Sequence, residues 1–356
     1  MLVRLSQIWA VLIAALFLAA AAWCFVPPPA STPPAMTRAA PGHYTDMMLY
    51  RDIVASMQQG SDYYSAAAEQ QRARGYPTRP FVTIRQPTLY LLAASYGWDR
   101  LNLLETALLI ANVLLWPLAL PAPANVAERL GAGLALGVGG FAAAASTITP
   151  MSEVWCGLLL GLALAARTGW RAQWWWPVLA VGAALTVREL ALPFLMLAAA
   201  FALHERRWRE FYGWTLVATL FALGTVIHAS AVFEVAREGD FSSQGWAGGL
   251  GLRGVLQALV STSLLHKLPR GLALLIALLP VLGWAALEPR AGRFALLLLG
   301  GYAAMIGLFP RPDNFYWGFL LLPTWFAGLA LVPRGVWQLG QAIARPASHP
   351  PTHPDR

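Results

Sequence analysis

An all-α, polytopic membrane helix bundle is the architecture the sequence predicts, with about ten to twelve transmembrane helices of ~20 residues each. Three observations predict it. The chain of 356 residues is 58% hydrophobic and 12% charged, with mean hydropathy +0.54, whereas roughly a quarter of the residues in soluble domains are charged. Apolar runs long enough to cross ~30 Å of hydrocarbon recur through residues 5–332. The Lys and Arg residues collect in short connections between those runs, as loops retained in the cytoplasm do. Residues 1–340 therefore read as one integral membrane domain, and residues 341–356, rich in Pro and His, as a disordered cytoplasmic tail. His349 and His353 in that tail reflect its composition rather than a metal site. A net charge of +8 matches topogenic bias and contact with anionic headgroups; no compact basic domain points to nucleic acid.

The first run, residues 5–26, follows Arg4. Its apolar core is longer than the ~7 to 15 residues of a signal peptide's h-region, and Trp23 stands where a cleavage site needs a small side chain. It reads as an uncleaved helix with a cytoplasmic N-terminus. Cys24 and Cys156 both fall in apolar runs, so neither a disulfide framework nor a thiolate metal site is expected.

Residues 27–83 form the first outer loop. The prolines of residues 27–34 make an extended spacer, and order resumes after Pro41-Gly42. Leu49, Ile53, Val54 and Met57 recur at helical spacing, which predicts a short amphipathic helix lying on the membrane surface, capped by Thr45. Asp46 and Tyr50, four apart, share another face of it. Asp46 falls in the first turn, where the helix dipole favours an ionised carboxylate; the competing reading is that it does no more than support the helix start.

Further helices are expected over 101–120, 130–148 and 154–166. Residues 174–203 hold Arg188-Glu189 near their centre and read either as one long tilted helix or as two short ones broken near Pro193. Ionisable groups inside an apolar run face the bundle interior or a cavity. Trp174, Trp175 and Trp176 head that run as an interfacial belt. Residues 211–232 then cross outward, 271–287 inward, 294–310 outward and 318–332 inward. The basic connections 204–210, 288–293 and 333 onward are cytoplasmic in this arrangement, and 27–83, 233–270 and 311–317 face outward. The second large outer loop, 233–270, carries a Gly-rich stretch and a predicted surface helix over 253–265.

Cations on the outer side are candidates for holding a phosphate: Arg85, which begins a membrane helix beside Pro87, Arg188 if its run breaks there, and Lys267 and Arg270 beside His266. Snorkelling anchorage is the alternative for Arg85. Arg311, Asp313, Asn314 and Tyr316 mix a cation, a carboxylate, an amide and an aromatic, suited to a sugar or to an interfacial belt. No phosphate loop, dinucleotide fingerprint or Ser/His/Asp constellation occurs.

The order hydrophobic helix, Asp46-x-x-x-Tyr50, Gly60-Ser-Asp-Tyr63-Tyr64, then Arg85-x-Pro87-Thr88 resembles the GT-C class of membrane glycosyltransferases, closest to bacterial members that decorate cell-envelope polymers or lipids. The resemblance implies a polyprenyl-phosphate-linked sugar donor, a glycan or lipid acceptor and inverting hexosyl or pentosyl transfer at the periplasmic face of the inner membrane. It also implies that Asp46 activates the acceptor. Arg85, Arg188, Lys267 and Arg270 would then bind the donor phosphate, and Tyr50, Tyr63, Tyr64, Glu189, Arg311, Asp313, Asn314 and Tyr316 would line the substrate. Many relatives carry two adjacent acids where this chain has Asp46 followed by Met47. Asp52 lies six residues on, about 200° around the helix. A site without metal or other cofactor is therefore expected; a divalent ion would need help from Glu153 or Asp240. Two other classes compete: a transporter or flippase of lipid-linked sugar, and a structural assembly subunit.

Overall fold

The computed structural model describes residues 2–27, 45–122, 124–170, 172–246, 248–287, 289–322 and 324–345, without the side chains of residues 143, 289, 312 and 313. The chain is 78% helical and has no strand among the described residues. In order, the helices are α1 (Gln7–Trp23), α2 (Asp46–Gln58), α3 (Tyr63–Ala73), α4 (Thr88–Tyr96), α5 (Trp98–Ala119), α6 (Val126–Gly140), α7 (Ser152–Gly169) and α8 (Trp175–Val187). They continue with α9 (Leu192–His204), α10 (Trp208–Val235), α11 (Gly251–Ser261), α12 (Arg270–Leu278), α13 (Pro280–Ala285), α14 (Pro289–Leu308), α15 (Thr324–Ala327) and α16 (Val332–Ala344).

A helical bundle is present, but fewer helices are long and apolar enough to cross a membrane than the ten to twelve expected. Among the described residues three qualify: α5, α10 and the Arg290–Leu308 part of α14. A fourth is added if Asn314–Leu320 and Thr324–Ala344, bent by 51°, make one span. The physical reason is interruption. At 1.5 Å per residue, the 13 residues of α8 rise about 20 Å, short of the ~30 Å a hydrocarbon core requires. The expected inward crossing 271–287 is likewise divided into α12 and α13, with Pro280 opening the second.

The 174–203 run is two short helices. Arg188 leaves the helical region (φ −153°, ψ 127°) after its N–H closes α8 on Ala184. Pro193 lies in the first turn of α9, where a missing N–H costs nothing. Trp174, at the head of α8, adjoins Gly213 near the start of α10, and α9 joins α10 through residues 205–207. The two helices thus form a hairpin against α10, with Arg188 at its tip. Along the other face of α10, Leu216, Leu220, Leu223 and Ile227 are each more than half exposed, a stripe suited to lipid.

Helix α7 is the centre of the bundle, packed by α5, α8 and the 3-10 segment Pro312–Leu320. Asn112 of α5 donates to the Leu158 carbonyl at 3.0 Å. A Cβ on Gly157 would collide with the Phe319 carbonyl oxygen and stand 2.6 Å from that of Leu322, so only glycine lets α7 approach this segment. Gly157→Ala is expected to lower the melting temperature of purified protein by several degrees, as overpacking by one methyl against rigid backbone costs about 1–3 kcal/mol. An unchanged melting temperature would show that the segment yields.

Residues 45–96 fold on themselves. Leu49, Ile53 and Val54 are at most 3% exposed and pack with Tyr63, Ala67, Ile84, Leu89, Tyr90 and Ala93. The apolar stripe of α2 therefore faces a protein core built with α3 and α4, not the membrane surface that its periodicity suggested. Thr45 caps α2 as expected, accepting from the Met48 N–H at 3.4 Å. The expected surface helix 253–265 is α11, whose Val255, Leu256, Ala258, Leu259 and Val260 are buried against α14 and the Pro312–Leu320 segment. Helix α16 runs to Ala344, beyond the expected start of the tail at 341; residues 346–356 and the spacer 28–34 lie outside the described residues.

Candidate functional site

Asp46 is the first residue of α2. Its Oδ1 accepts a hydrogen bond from the Tyr76 hydroxyl at 2.8 Å, and its other oxygen has no partner among the described residues. Tyr76 follows Gly75, whose φ of +69° is the left-handed conformation that reverses the chain after α3. The Tyr76 N–H returns to the Gln71 carbonyl at 2.9 Å. The Tyr76 hydroxyl thus fixes one of the two carboxylate oxygens.

Three elements deliver a charged cluster that Tyr50 and Tyr316 connect to Asp46. Arg85 lies just before α4, Glu153 in the first turn of α7 and Arg188 at the tip of the α8–α9 hairpin. Arg188 Nη2 is 3.0 Å and Arg85 Nη2 3.6 Å from the same Glu153 Oε1. Arg188 Nη1 is 3.3 Å from Glu189. The Ser152 hydroxyl donates to Glu153 Oε2 at 3.2 Å, and Arg85 Nε donates to the Tyr50 hydroxyl at 3.4 Å. The side chains of Arg188 and Glu153 are 3% and 1% exposed, yet the Nε and Nη1 groups of Arg188 make no hydrogen bond. Nη1 is nonetheless ion-paired with Glu189; buried donors are almost always partnered, so the unfilled Nε in a dry cluster amounts to unused capacity for an anion.

Tyr50 ties the two halves together, within electrostatic range of Arg85, Asp46, Tyr316 and Glu153. Burial pushes its phenol well up, only partly offset by the Arg85 charge, so it acts as a neutral hydroxyl. Tyr316 faces Arg85, Glu153, Asp46 and Arg188 and accepts from the Asn314 amide at 2.7 Å. Asp46, Tyr50, Arg85, Arg188, Glu189, Asn314 and Tyr316 thus converge.

Other expected members serve elsewhere. The Tyr63 hydroxyl donates to the Arg85 carbonyl at 2.6 Å, fixing the backbone that presents Arg85. The Tyr64 hydroxyl is 3.3 Å from His228 Nδ1. Arg311 Nη1 donates to Gln244 at 3.4 Å, and the Asp313 side chain lies outside the described residues. Arg270 adjoins Arg253 rather than Glu153, and Lys267 is exposed three residues earlier.

Glu153 and Asp240, one or other of which a divalent ion would need, are both engaged by arginines. Glu153 serves the two arginines, and Asp240 is chelated by Arg72 through Nε at 2.6 Å and Nη2 at 2.9 Å. The Arg72 hydrogen bond, ahead of a smaller opposing effect of burial, holds the Asp240 carboxyl well below the usual carboxylate range. No group of three or more His, Cys, Asp or Glu side chains suited to a metal occurs among the described residues.

Sequence reasoning named Glu153 only as a reserve metal ligand and did not name Tyr76. Glu153 stands at the head of an apolar helix, and the rule that singled out Arg188, that ionisable groups in apolar runs face a partner or cavity, applies to it equally. Tyr76 sits in an aperiodic turn that offers no such signal. No family model, no curated protein and no solved structure matches this chain.

Proposed function

We propose that the chain is a membrane glycosyltransferase of GT-C type, which moves a hexosyl or pentosyl unit from a polyprenyl-phosphate donor to a cell-envelope glycan or lipid, with inversion, on the periplasmic side of a bacterial inner membrane. The observation that carries this reading is that Asp46, one oxygen of which is held by Tyr76, is linked through Tyr50 and Tyr316 to two arginines that share Glu153, one of which, Arg188, keeps its buried Nε unfilled. In the reaction, the second oxygen of Asp46 takes the acceptor hydroxyl proton as that oxygen bonds to the anomeric carbon. The bond from that carbon to the phosphate oxygen breaks, and its electron pair leaves with the polyprenyl phosphate, whose charge Arg85 and Arg188 stabilise. Tyr50 and Tyr316 offer neutral hydroxyls to the sugar between them.

The break at Arg188 also favours a transporter of lipid-linked sugar, since interrupted helices occur where polar substrates cross membranes. Reconstitution separates the two. Purified protein in liposomes, given a radiolabelled polyprenyl-phosphate sugar and envelope acceptors, is expected to form a new glycosidic bond; label that crosses the bilayer without bond formation would replace transferase by transporter.

A further inference from the structure

We infer that Arg253, Lys267 and Arg270 form a second site, for the phosphate of an anionic membrane phospholipid, at the corner where α1 ends. Arg253 lies in the first turn of α11, Arg270 opens α12 and Lys267 ends the 3-10 segment Leu264–Lys267 between them. The Arg253 guanidinium stands 4.3 Å from the centre of the Trp23 ring, and its Nη2 donates to the Val26 carbonyl at 3.3 Å. Those contacts aim the group. Its Nη1 is buried and has no hydrogen-bond partner, a state that buried donors rarely keep.

Arg270 and Arg253 repel each other electrostatically, and no carboxylate pairs with Arg253, Lys267 or Arg270 among the described residues. Several half-buried or buried arginines have their own acid: Arg72 has Asp240, Arg167 and Arg207 have Glu210, Arg334 has Glu128, and Arg85 and Arg188 have Glu153. Like charges gathered with no counterion among the described residues are what an anion from outside the chain would meet.

The flank says which kind of anion. Phe25 is packed on Gly271, and Phe25, Leu252, Leu268 and Leu272 are 61%, 48%, 38% and 41% exposed beside the three cations. A free phosphate gains nothing from that apolar rim. A phospholipid fills both halves, its phosphate on the guanidinium pair in the bidentate fashion arginine favours and its acyl chains along the exposed side chains. The site would anchor the ends of α1, α11 and α12 at headgroup depth.

The test is lipid retention by the full-length protein, measured by native mass spectrometry after detergent exchange, with phosphatidylglycerol, phosphatidylcholine, polyprenyl monophosphate and inorganic phosphate as probes. Wild type is expected to retain one phosphatidylglycerol in preference to phosphatidylcholine and to be indifferent to inorganic phosphate. Arg270→Gln, an exposed position whose change leaves the core intact, and Arg253→Lys, which keeps the charge but loses the fork, are each expected to lower retention about tenfold or more, the effect of one charge-assisted hydrogen bond. Equal retention by Arg270→Gln, no preference over phosphatidylcholine, or displacement by polyprenyl monophosphate at equal concentration would each overturn the assignment, the last by giving the cations to the sugar donor.

Discussion

Asp46→Asn is expected to lower sugar transfer in membranes about 10²- to 10⁴-fold, the contribution typical of a positioned general base, while lowering the melting temperature by no more than the loss of a helix-dipole contact worth about 0.3–1 kcal/mol. The substitution is isosteric. The Tyr76 hydroxyl, 2.8 Å from Oδ1, still meets an oxygen if the amide is oriented that way, and the helix start is held by Thr45, not by Asp46. What is lost is the second oxygen's ability to take a proton. This separates the catalytic reading from the bland one, in which Asp46 only completes the first turn of α2: a helix-dipole contribution is worth about 0.3–1 kcal/mol and would leave turnover near normal. A variant that keeps more than about a tenth of the wild-type rate excludes Asp46 as base. Tyr76→Phe should act more weakly, because it releases the carboxylate without removing it.

Periodicity in residues 45–58 identified α2, its cap and the buried stripe Leu49, Ile53 and Val54, but periodicity records only that a face avoids water. Lipid and protein core are equally apolar, so the choice between them rested on α3 and α4, whose Ala66, Ala67, Ala68 and Ala93 are small residues with little pattern of their own. The same ambiguity governs the span count. Residues 174–203 are apolar throughout except at Arg188-Glu189, and hydropathy does not reveal that the chain reverses at that pair; the reversal became visible through Trp174 against Gly213. Arg85 was legible because Pro87 marks a helix start, and Arg188 because a charge in an apolar run is costly. Their convergence on Glu153 was not, since it joins positions 68 and 35 residues away through tertiary packing alone.

That convergence is the most exposed part of the molecule to single substitutions. Glu153→Gln removes the carboxylate whose Oε1 lies within 3.6 Å of both guanidinium groups and leaves Arg188, 3% exposed, with Glu189 as its remaining acid. Removing one member of a buried ion pair typically costs about 3–5 kcal/mol, so the single variant should unfold at markedly lower temperature or fail to accumulate. The double variant Glu153→Gln/Arg188→Gln removes charges of both signs and should recover most of that loss, because replacing both partners avoids the lone buried charge. Stability and activity then part company. If the cluster were only a structural staple, the refolded double variant would transfer sugar normally. As the phosphate site it should remain defective, with the Michaelis constant for the polyprenyl-phosphate donor raised at least tenfold, about the effect of one lost charged hydrogen bond. Thermal unfolding with donor titration on the single and double variants measures both quantities on the same preparations. A stable but inactive double variant supports the assignment of Arg188 to the leaving phosphate, and a stable, active one removes it.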